Sequence, residues 1–270
     1  MTSSLLETRK RWVADQRKAG TEGVFRASAV HLPLPPSLHD ALRVPKTEYA
    51  IVVELRRSSP DAPSMAHDDI VGMAARAAEW GAAALAILPD EDAFGTSYAD
   101  IMALAQQTAL PIWCRDIVLD PVQIVMARAH GAAAVSLDAS LHSGAELRSL
   151  YREATELGLE VVMEGSTSRA LQSAAEVRLG SAEHSGARIL APVPPADDPQ
   201  GALYERVIPR LPDFVVRLAG RPLLPSDDVA QLTELGYEAF LAADMVWAAP
   251  DPESAFRSCA GADATAFTTS

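Results

Sequence analysis

Cysteine is scarce in this chain, and histidine never clusters. The only cysteines among the 270 residues are Cys114 and Cys259, which lie far apart, and the 6 histidines are isolated from one another. A disulfide framework, a Cys-x-x-Cys metal site and a His-x-x-His metal site are therefore all disfavoured. We expect a protein of the reducing cytoplasm that holds no metal.

The sequence also lacks long apolar runs and an excess of positive charge. No run approaches the roughly 20 apolar residues of a membrane-spanning helix, and the charged, amphipathic start of the chain lacks the apolar segment of a signal peptide. The formal charge of -13 opposes binding to nucleic acids and to anionic membranes, although a few local cations suffice for a small anionic ligand. The expected partner is a small molecule.

What the sequence does contain is a repeated alternation of short apolar runs with amphipathic helical patterns. Helical stretches begin at signals such as Ser97 and Asp120-Pro121, and several end at a glycine before the next apolar run, as at Gly81 and Gly236. This punctuation is typical of consecutive βα units and a parallel sheet. Strands are predicted at residues 50–55, 83–88, 112–114, 133–137, 159–163, 188–191, 214–217 and 239–242.

This number of βα units favours an α/β fold of the closed (β/α)8 TIM-barrel type over a doubly wound sheet. The Gly-x-Gly-x-x-Gly turn of dinucleotide-binding folds follows none of the predicted strands, and we expect no cofactor. Residues 1–48 are predicted to form an N-terminal helical extension with a Pro-rich connector, residues 49–260 the barrel, and residues 261–270 a flexible tail.

Charged side chains end several of the predicted strands, and a barrel gathers such ends at one mouth. Glu54 and Arg56 lie two positions apart at the end of the first strand, so they point to the same side. Arg115 follows the third strand and Glu164 the fifth. These four residues form the expected functional set, and the alternative for the first two is a structural ion pair that closes a strand end.

Other charged residues follow strands as well, and a structural role is open for each of them, because loop residues are usually polar. Asp90 and Glu91 follow the second strand, and Arg217 ends the seventh. Asp116 and Asp138 are expected to be structural, as helix caps or partners within loops.

Four segments match, in the same order, the motifs of one known family of barrel enzymes. Glu54-Leu-Arg-Arg-Ser-Ser-Pro60 resembles the family's Glu-x-Lys-x-x-Ser-Pro, and Pro89-Asp-Glu-Asp-Ala-Phe-Gly-Thr-Ser97 resembles its Thr-Asp-Glu-x-x-Phe-x-Gly-Ser. Residues 111–124 resemble its Pro-Val-Leu-Arg-Lys-Asp-Phe-Ile-Ile-Asp-Pro-Tyr-Gln-Ile, and residues 159–164 resemble the strand that carries a catalytic glutamate. The family is indole-3-glycerol-phosphate synthase, and the resemblance covers nearly the whole chain.

The resemblance implies a reaction and a set of roles. The family closes the pyrrole ring of a carboxyphenylamino-deoxyribulose phosphate, with loss of carbon dioxide and water. Glu54 and Glu164 match its catalytic glutamates, whereas its two catalytic lysines fall at Arg56 and Arg115. A guanidinium does not release a proton near neutral pH, so Arg115 is expected to bind a carboxylate or an oxyanion and to fail as a general acid. Substrate contacts are expected from Ser59, Phe94, Ile117 and Arg217.

Three loops depart from the family's pattern. Its Asn-x-Arg after strand six is replaced by residues 193–195, its Glu-Ser-Gly after strand seven by residues 217–222, and its Gly-x-Ser phosphate loop by residues 243–245. Asp244 at the last position is expected to repel a dianionic phosphate, and the Gly-Arg pair at 220–221 would compensate in part.

Two functions are therefore open. The first is a diverged lyase or cyclase that acts on an arylamine carboxylate, which is either the family's own substrate or an altered, non-phosphorylated substrate of specialised metabolism. The second is a non-catalytic ligand-binding or partner protein on the same barrel, because fold alone does not fix function. Retention of both glutamates and of a positive charge at both lysine positions favours the enzyme. The expected ligand is an aromatic carboxylate, and the protein is expected to be a monomer or a homodimer.

Overall fold

The computed structural model describes residues 3–58, 69–177, 187–195, 197–198, 201–224 and 229–261. Its centre is a closed barrel of parallel strands in which each strand pairs with the next along the chain and β8 returns to β1. The strands are β1 (Ala50–Leu55), β2 (Ala84–Ile87), β3 (Ile112–Cys114), β4 (Ala134–Asp138), β5 (Glu160–Gly165), β6 (Ile189–Pro192), β7 (Val216–Pro222) and β8 (Ala239–Ala242). The predicted (β/α)8 TIM barrel is confirmed.

Side chains along each strand alternate between the barrel interior and the layer beneath the helices. In β1, Val52 belongs to the interior cluster, whereas Ile51 and Val53 join the outer one. Every residue of β1 is buried, because a parallel barrel strand is covered on both faces. The interior is filled largely by alanine around the indole of Trp113, so an alanine-rich chain with few aromatic residues still closes its core.

Helices surround the barrel, and side-chain caps fix where several of them begin. Asp120 accepts a hydrogen bond from the Val122 backbone N–H, with Pro121 in the first turn, and Ser143 forms a capping box with Glu146. The helices are α1 (Ser3–Ala19), α2 (Thr21–His31), α3 (Leu38–Arg43), α4 (Ile70–Trp80), α5 (Glu91–Phe94), α6 (Tyr98–Gln107), α7 (Pro121–Ala129), α8 (Gly144–Glu156), α9 (Ser168–Ala175), α10 (Ala202–Val207), α11 (Val229–Glu234), α12 (Asp244–Trp247) and α13 (Pro252–Cys259). Within the described ranges, none of the helices combines the length and apolar composition that crossing a bilayer requires.

The seventh strand lies later in the chain than predicted. Residues 214–217 were expected to form it, but β7 runs from Val216 to Pro222. Arg217 therefore lies at the beginning of the strand, and Gly220 takes the inward position near the mouth. The strand persists through its glycine and proline because β6 and β8 flank it on both sides.

The N-terminal extension contacts both ends of the barrel, and its helix α2 packs on α7 of the outer layer. Helix α3 carries Leu38 and Leu42, which are fully buried and belong to the interior cluster of the barrel, so this helix closes one end. It is fixed there because Ser37 Oγ donates to Glu160 Oε1 at 2.9 Å and the His39 backbone N–H donates to Glu160 Oε2 at 2.8 Å. Of the predicted tail, residues 262–270 lie outside the described residues, so that prediction stays open.

Helix α1 is attached near the other end of the barrel through Arg9. This buried guanidinium donates to the Pro89 carbonyl at 2.6 Å and pairs with Asp116 at 2.9 Å. Trp12 of the same helix stacks on Tyr98, whose hydroxyl donates to Asp116 at 2.6 Å. The extension therefore contacts the loops that follow β2 and β3.

Candidate active site

The odd-numbered strands place one polar layer directly above the apolar interior. Glu54 on β1, Arg115 after β3, Glu164 on β5 and Gly220 on β7 each follow an interior apolar residue by two positions. Alternate strands of a (β/α)8 barrel contribute to common layers, so strand register alone brings these four residues to one depth. This layer is the floor of the candidate active site.

Arg115 joins the whole layer. Its Nε donates to Glu164 Oε1 at 2.9 Å, and its Nη1 donates to Glu54 Oε2 at 3.0 Å. Its Nη2 donates to the backbone carbonyl of Gly220 at 2.6 Å. The side chain of Arg115, which follows β3, thus contacts residues of β1, β5 and β7.

Arg56 lies one layer higher and holds the other oxygen of Glu54. Its Nε and Nη2 lie 2.7 Å and 2.5 Å from Glu54 Oε1. Its Nη1 lies 3.5 Å from Asp244 Oδ2, which belongs to helix α12 after β8. The Phe94 ring lies over the guanidinium, with 5.4 Å between Cζ and the ring centroid. Arg56 therefore connects β1 to the chain segments that follow β8 and β2.

Burial and charge set the protonation of this layer. Burial raises the pKa of the Glu164 carboxyl, an effect that Arg115 opposes and Asp138 reinforces. Burial by itself lowers the pKa of Arg115, but Glu164 and Glu54 outweigh it and the net shift is upward. Arg115 is thus permanently charged, whereas Glu164 exchanges its proton closer to neutral pH than a free glutamate does.

Two tryptophans support the charged layer. The Trp113 ring lies 5.4 Å from the Arg115 Cζ, and its Nε1 donates to Ser136 Oγ at 3.0 Å within the interior. Trp247 of α12 donates from Nε1 to the Glu54 backbone carbonyl at 3.1 Å. The Trp113 ring therefore supports the guanidinium of Arg115 from the interior of the barrel. The hydrogen bond of Trp247 connects α12 to the end of β1.

The structure brings together the four residues of the expected functional set. Of the expected substrate contacts, Phe94 lies beside Arg56, and the half-buried Ile117 lies two positions beyond Arg115. Ser59 lies outside the described residues, and its role stays a prediction. The roles of the other residues also stay predictions, because position alone does not show contact with a substrate.

Arg217 was expected at the mouth, and that position is wrong. Its guanidinium pairs with Asp213 at 2.9 Å and lies near the carbonyl of Gly236, which precedes β8. Both partners belong to the end of the barrel opposite the mouth. The guanidinium of Arg221 lies over the ring of Tyr204, and its Nη1 is 3.5 Å from the Asp198 carbonyl in the loop after β6.

Two contacts of the site were not foreseen from the sequence. One is the pairing of Asp244 with Arg56, and the other is the hydrogen bond from Arg115 to the Gly220 carbonyl. The sequence does indicate the first contact, because Asp244 follows β8 and the ends of barrel strands meet at the mouth. Asp116 has the expected structural role, because it accepts from Tyr98, from Gln123 and from the Ile117 backbone.

The described residues contain no group of three or more His, Cys, Asp or Glu side chains arranged to hold a metal ion.

Comparison with known proteins gives one consistent family. A family model described as Indole-3-glycerol phosphate synthase matches residues 2–182. The match ends before β6, and the three segments that depart from the family's pattern all follow that point, although residues 217–222 belong to strand β7 and not to a loop after it. In structure, the chain is similar to orotidine 5'-phosphate decarboxylase from Pyrococcus horikoshii OT3, with a TM-score of 0.58, 15% identity and coverage of 78% of this chain and 98% of that one. At that identity the likeness concerns the fold alone.

Individual relatives agree with the family model. The indole-3-glycerol phosphate synthase of Opitutus terrae is 31% identical over 258 residues, covering 92% of this chain and 94% of the relative. That of Nocardioides sp. is 34% identical over 219 residues, covering 79% and 81%, and that of Koribacter versatilis is 28% identical over 262 residues, covering 94% and 96%. The chain belongs to the indole-3-glycerol phosphate synthase family of ring-closing lyases.

Proposed function

We propose that this protein is an enzyme that closes a ring on an arylamine carboxylate whose tail carries no phosphate. The reaction would belong to specialised metabolism. The observation that carries this proposal is the layer in which Arg115 joins Glu54 to Glu164. Both carboxylates that match the family's catalytic positions are present, and one guanidinium holds them at a common depth.

The roles follow from the chemistry of each group. Glu164 serves as general base and acid, because its raised pKa brings proton exchange closer to neutral pH. Glu54 accepts hydrogen bonds from both guanidiniums and stabilises an iminium-like intermediate by its charge. Each terminal nitrogen of Arg115 carries a second N–H beyond the one directed at the protein, and these bind a carboxylate or a developing oxyanion.

A second candidate is a non-catalytic ligand-binding protein on the same barrel. One observation favours it, namely that each guanidinium at a catalytic lysine position contacts carboxylates of the protein itself. A guanidinium in such a network cannot protonate a substrate at neutral pH. The presence of both glutamates at the positions that match the family's catalytic residues favours the enzyme.

Turnover of the carboxyphenylamino-deoxyribulose phosphate, followed by indole fluorescence, tests the proposal. We expect no signal from the purified protein at high concentration, and a measurable signal from the double variant Arg56→Lys plus Arg115→Lys made in an Asp244→Asn background, because the lysines supply an exchangeable proton and the asparagine removes the charge that opposes the phosphate. Arg43→Lys is the matched control, because Arg43 forms a half-exposed pair with Glu238 at the opposite end of the barrel.

Ligand binding separates the two candidates. A thermal-shift series with aryl carboxylates is expected to show stabilisation by compounds that carry an arylamine. The enzyme proposal fails if none of these compounds stabilises the protein and the double variant in the Asp244→Asn background is inactive. Fast turnover of the phosphorylated compound by the unaltered protein would instead contradict the proposed change of substrate.

A further inference from the structure

The charged side chains of the mouth form one alternating chain. It runs from Asp244 to Arg56, to Glu54, to Arg115 and to Glu164, with each contact between opposite charges. Neither arginine stands at an end of this series of ion pairs, because each lies between two carboxylates. Both ends are carboxylates, and Asp244 is the more accessible of the two, with its side chain 25% exposed.

The groups that face a ligand are therefore mainly acceptors of hydrogen bonds. At the inward mouth positions that the structure describes, Arg56 and Arg115 are accompanied by four carboxylates, those of Glu54, Glu164, Asp244 and Asp138, the last of which lies beside Glu164 in the pairing of β4 with β5. Arg221, on the outward side of β7, lies over the Tyr204 ring and contacts the Asp198 carbonyl in the loop after β6. The surface formed by these inward positions favours hydroxyl and amine groups over a dianion.

Arg56 is poorly placed to bind the tail of a ligand. Its guanidinium holds Glu54 on one side and Asp244 on the other, and the Phe94 ring covers one of its faces. A phosphate would have to displace the Asp244 carboxylate to reach it. Oδ1 of Asp244 is enclosed, so Oδ2 is the oxygen that both contacts Arg56 and faces the opening.

We propose that Asp244 determines which end group the substrate tail carries. A tail that ends in a hydroxyl group donates a hydrogen bond to this carboxylate, whereas a tail that ends in a phosphate is excluded by it. The substrate class is an N-aryl amino-polyol with a free terminal hydroxyl. Arg56 is a positioning residue in this arrangement, since it orients Asp244 and Glu54 without touching the tail. The inference rests on the proposed function and specifies its substrate.

Binding of two matched compounds tests the inference. They are the carboxyphenylamino-deoxyribulose with and without its terminal phosphate, measured by calorimetry with the full chain. The unaltered protein is expected to bind the hydroxyl-ended compound at least ten-fold more tightly. Asp244→Asn is expected to reduce this preference at least ten-fold, and Asp244→Glu, which keeps the carboxylate, to retain most of it.

Asp213→Asn is the control for loss of one negative charge. Asp213 is fully exposed and pairs with Arg217 at the opposite end of the barrel, so the preference should not change. Equal or tighter binding of the phosphorylated compound by the unaltered protein overturns the inference while the proposed enzyme class survives. An unchanged preference in a folded Asp244→Asn variant overturns it as well. If neither compound binds to any of the proteins, the proposed function and the inference both fail.

Discussion

Arg115 shows what one arginine can do that a lysine cannot. Its planar guanidinium directs three nitrogens to Glu164, Glu54 and the Gly220 carbonyl at the same time. A lysine ammonium has a single nitrogen and could not span these three groups from one position, but it could release a proton after a shift in its pKa. Arginine at the family's lysine position therefore adds hydrogen bonds between three strands, and it removes a side chain that could donate a proton.

Removing this guanidinium is expected to destabilise the protein strongly. In Arg115→Met, the fully buried Glu54 loses one of its two cationic partners, and Glu164 loses the cation that opposes the rise in its pKa. Breaking a buried pair in this way costs about 3–5 kcal/mol in the free energy of unfolding, which urea denaturation would measure.

The matched control for this variant is Arg43→Met. The pair of Arg43 with Glu238 is half-exposed, and such surface pairs contribute about 1 kcal/mol or less. Equal losses in the two variants would show that the Arg115 network contributes no more than a surface ion pair.

At this scale the sequence predicted the residues and the pairing of Glu54 with Arg56, but not the contacts across the barrel. Glu54 and Arg56 could be placed on one side because strand alternation is a local property. The contact from Arg56 to Asp244 joins residues that are 188 positions apart, so it depends on how the barrel closes. Arg217 was misplaced because one error in the strand boundary moves a side chain to the other end of the barrel.

Among the elements, β7 departs most from its sequence pattern. Glycine and proline weaken a strand on their own, so the segment from Ala219 to Pro222 carries little strand signal. Its neighbours supply the missing information, since β6 pairs with its first half and β8 with its second. The glycine-terminated helices and short apolar strands elsewhere were predictable because those signals are local.

Strands β6 and β7 approach each other closely at Gly220, so we expect the methyl group of an alanine there to be poorly tolerated. A Cβ added there would lie 2.9 Å from the Pro192 carbonyl oxygen and 2.9 Å from Val193 Cγ2. Backbone cannot move away as a flexible side chain can, so Gly220→Ala is expected to lower the free energy of unfolding by about 1–3 kcal/mol. It should also weaken ligand binding, because the carbonyl that Arg115 holds must shift.

Gly23→Ala provides the matched control for that variant. Gly23 lies within helix α2, and an added Cβ would meet nothing within 4 Å. Alanine in an open helical position gains up to about 1 kcal/mol over glycine. Thermal unfolding of both variants should therefore shift in opposite directions, and a loss of stability in Gly23→Ala would contradict the packing argument.

For the whole molecule, the N-terminal extension and the barrel share one core. Leu38 and Leu42 of α3 belong to the same buried cluster as Val52 and the tryptophan of β3. A division at residue 48 was predicted because the extension precedes the first strand, and sequence order gave no sign that α3 would turn inward. The extension therefore contributes the closure of one barrel end, in addition to the contacts of Arg9 near the mouth.

Two truncated chains separate these contributions. The chain that begins at residue 32 keeps α3 and the connector, whose Leu32 and Pro33 carbonyls accept from Arg128 at 2.7 Å and 2.8 Å. We expect this chain to unfold cooperatively at a lower temperature than the full chain, because it loses α1 and α2. The chain that begins at residue 49 loses the buried side chains of Leu38 and Leu42, each of which contributes about 2–5 kcal/mol when removed from a core. It is therefore expected to show no cooperative transition in calorimetry. A cooperative transition at the same temperature in both truncated chains would mean that α3 covers the barrel without stabilising it, and would restore residue 48 as a domain boundary.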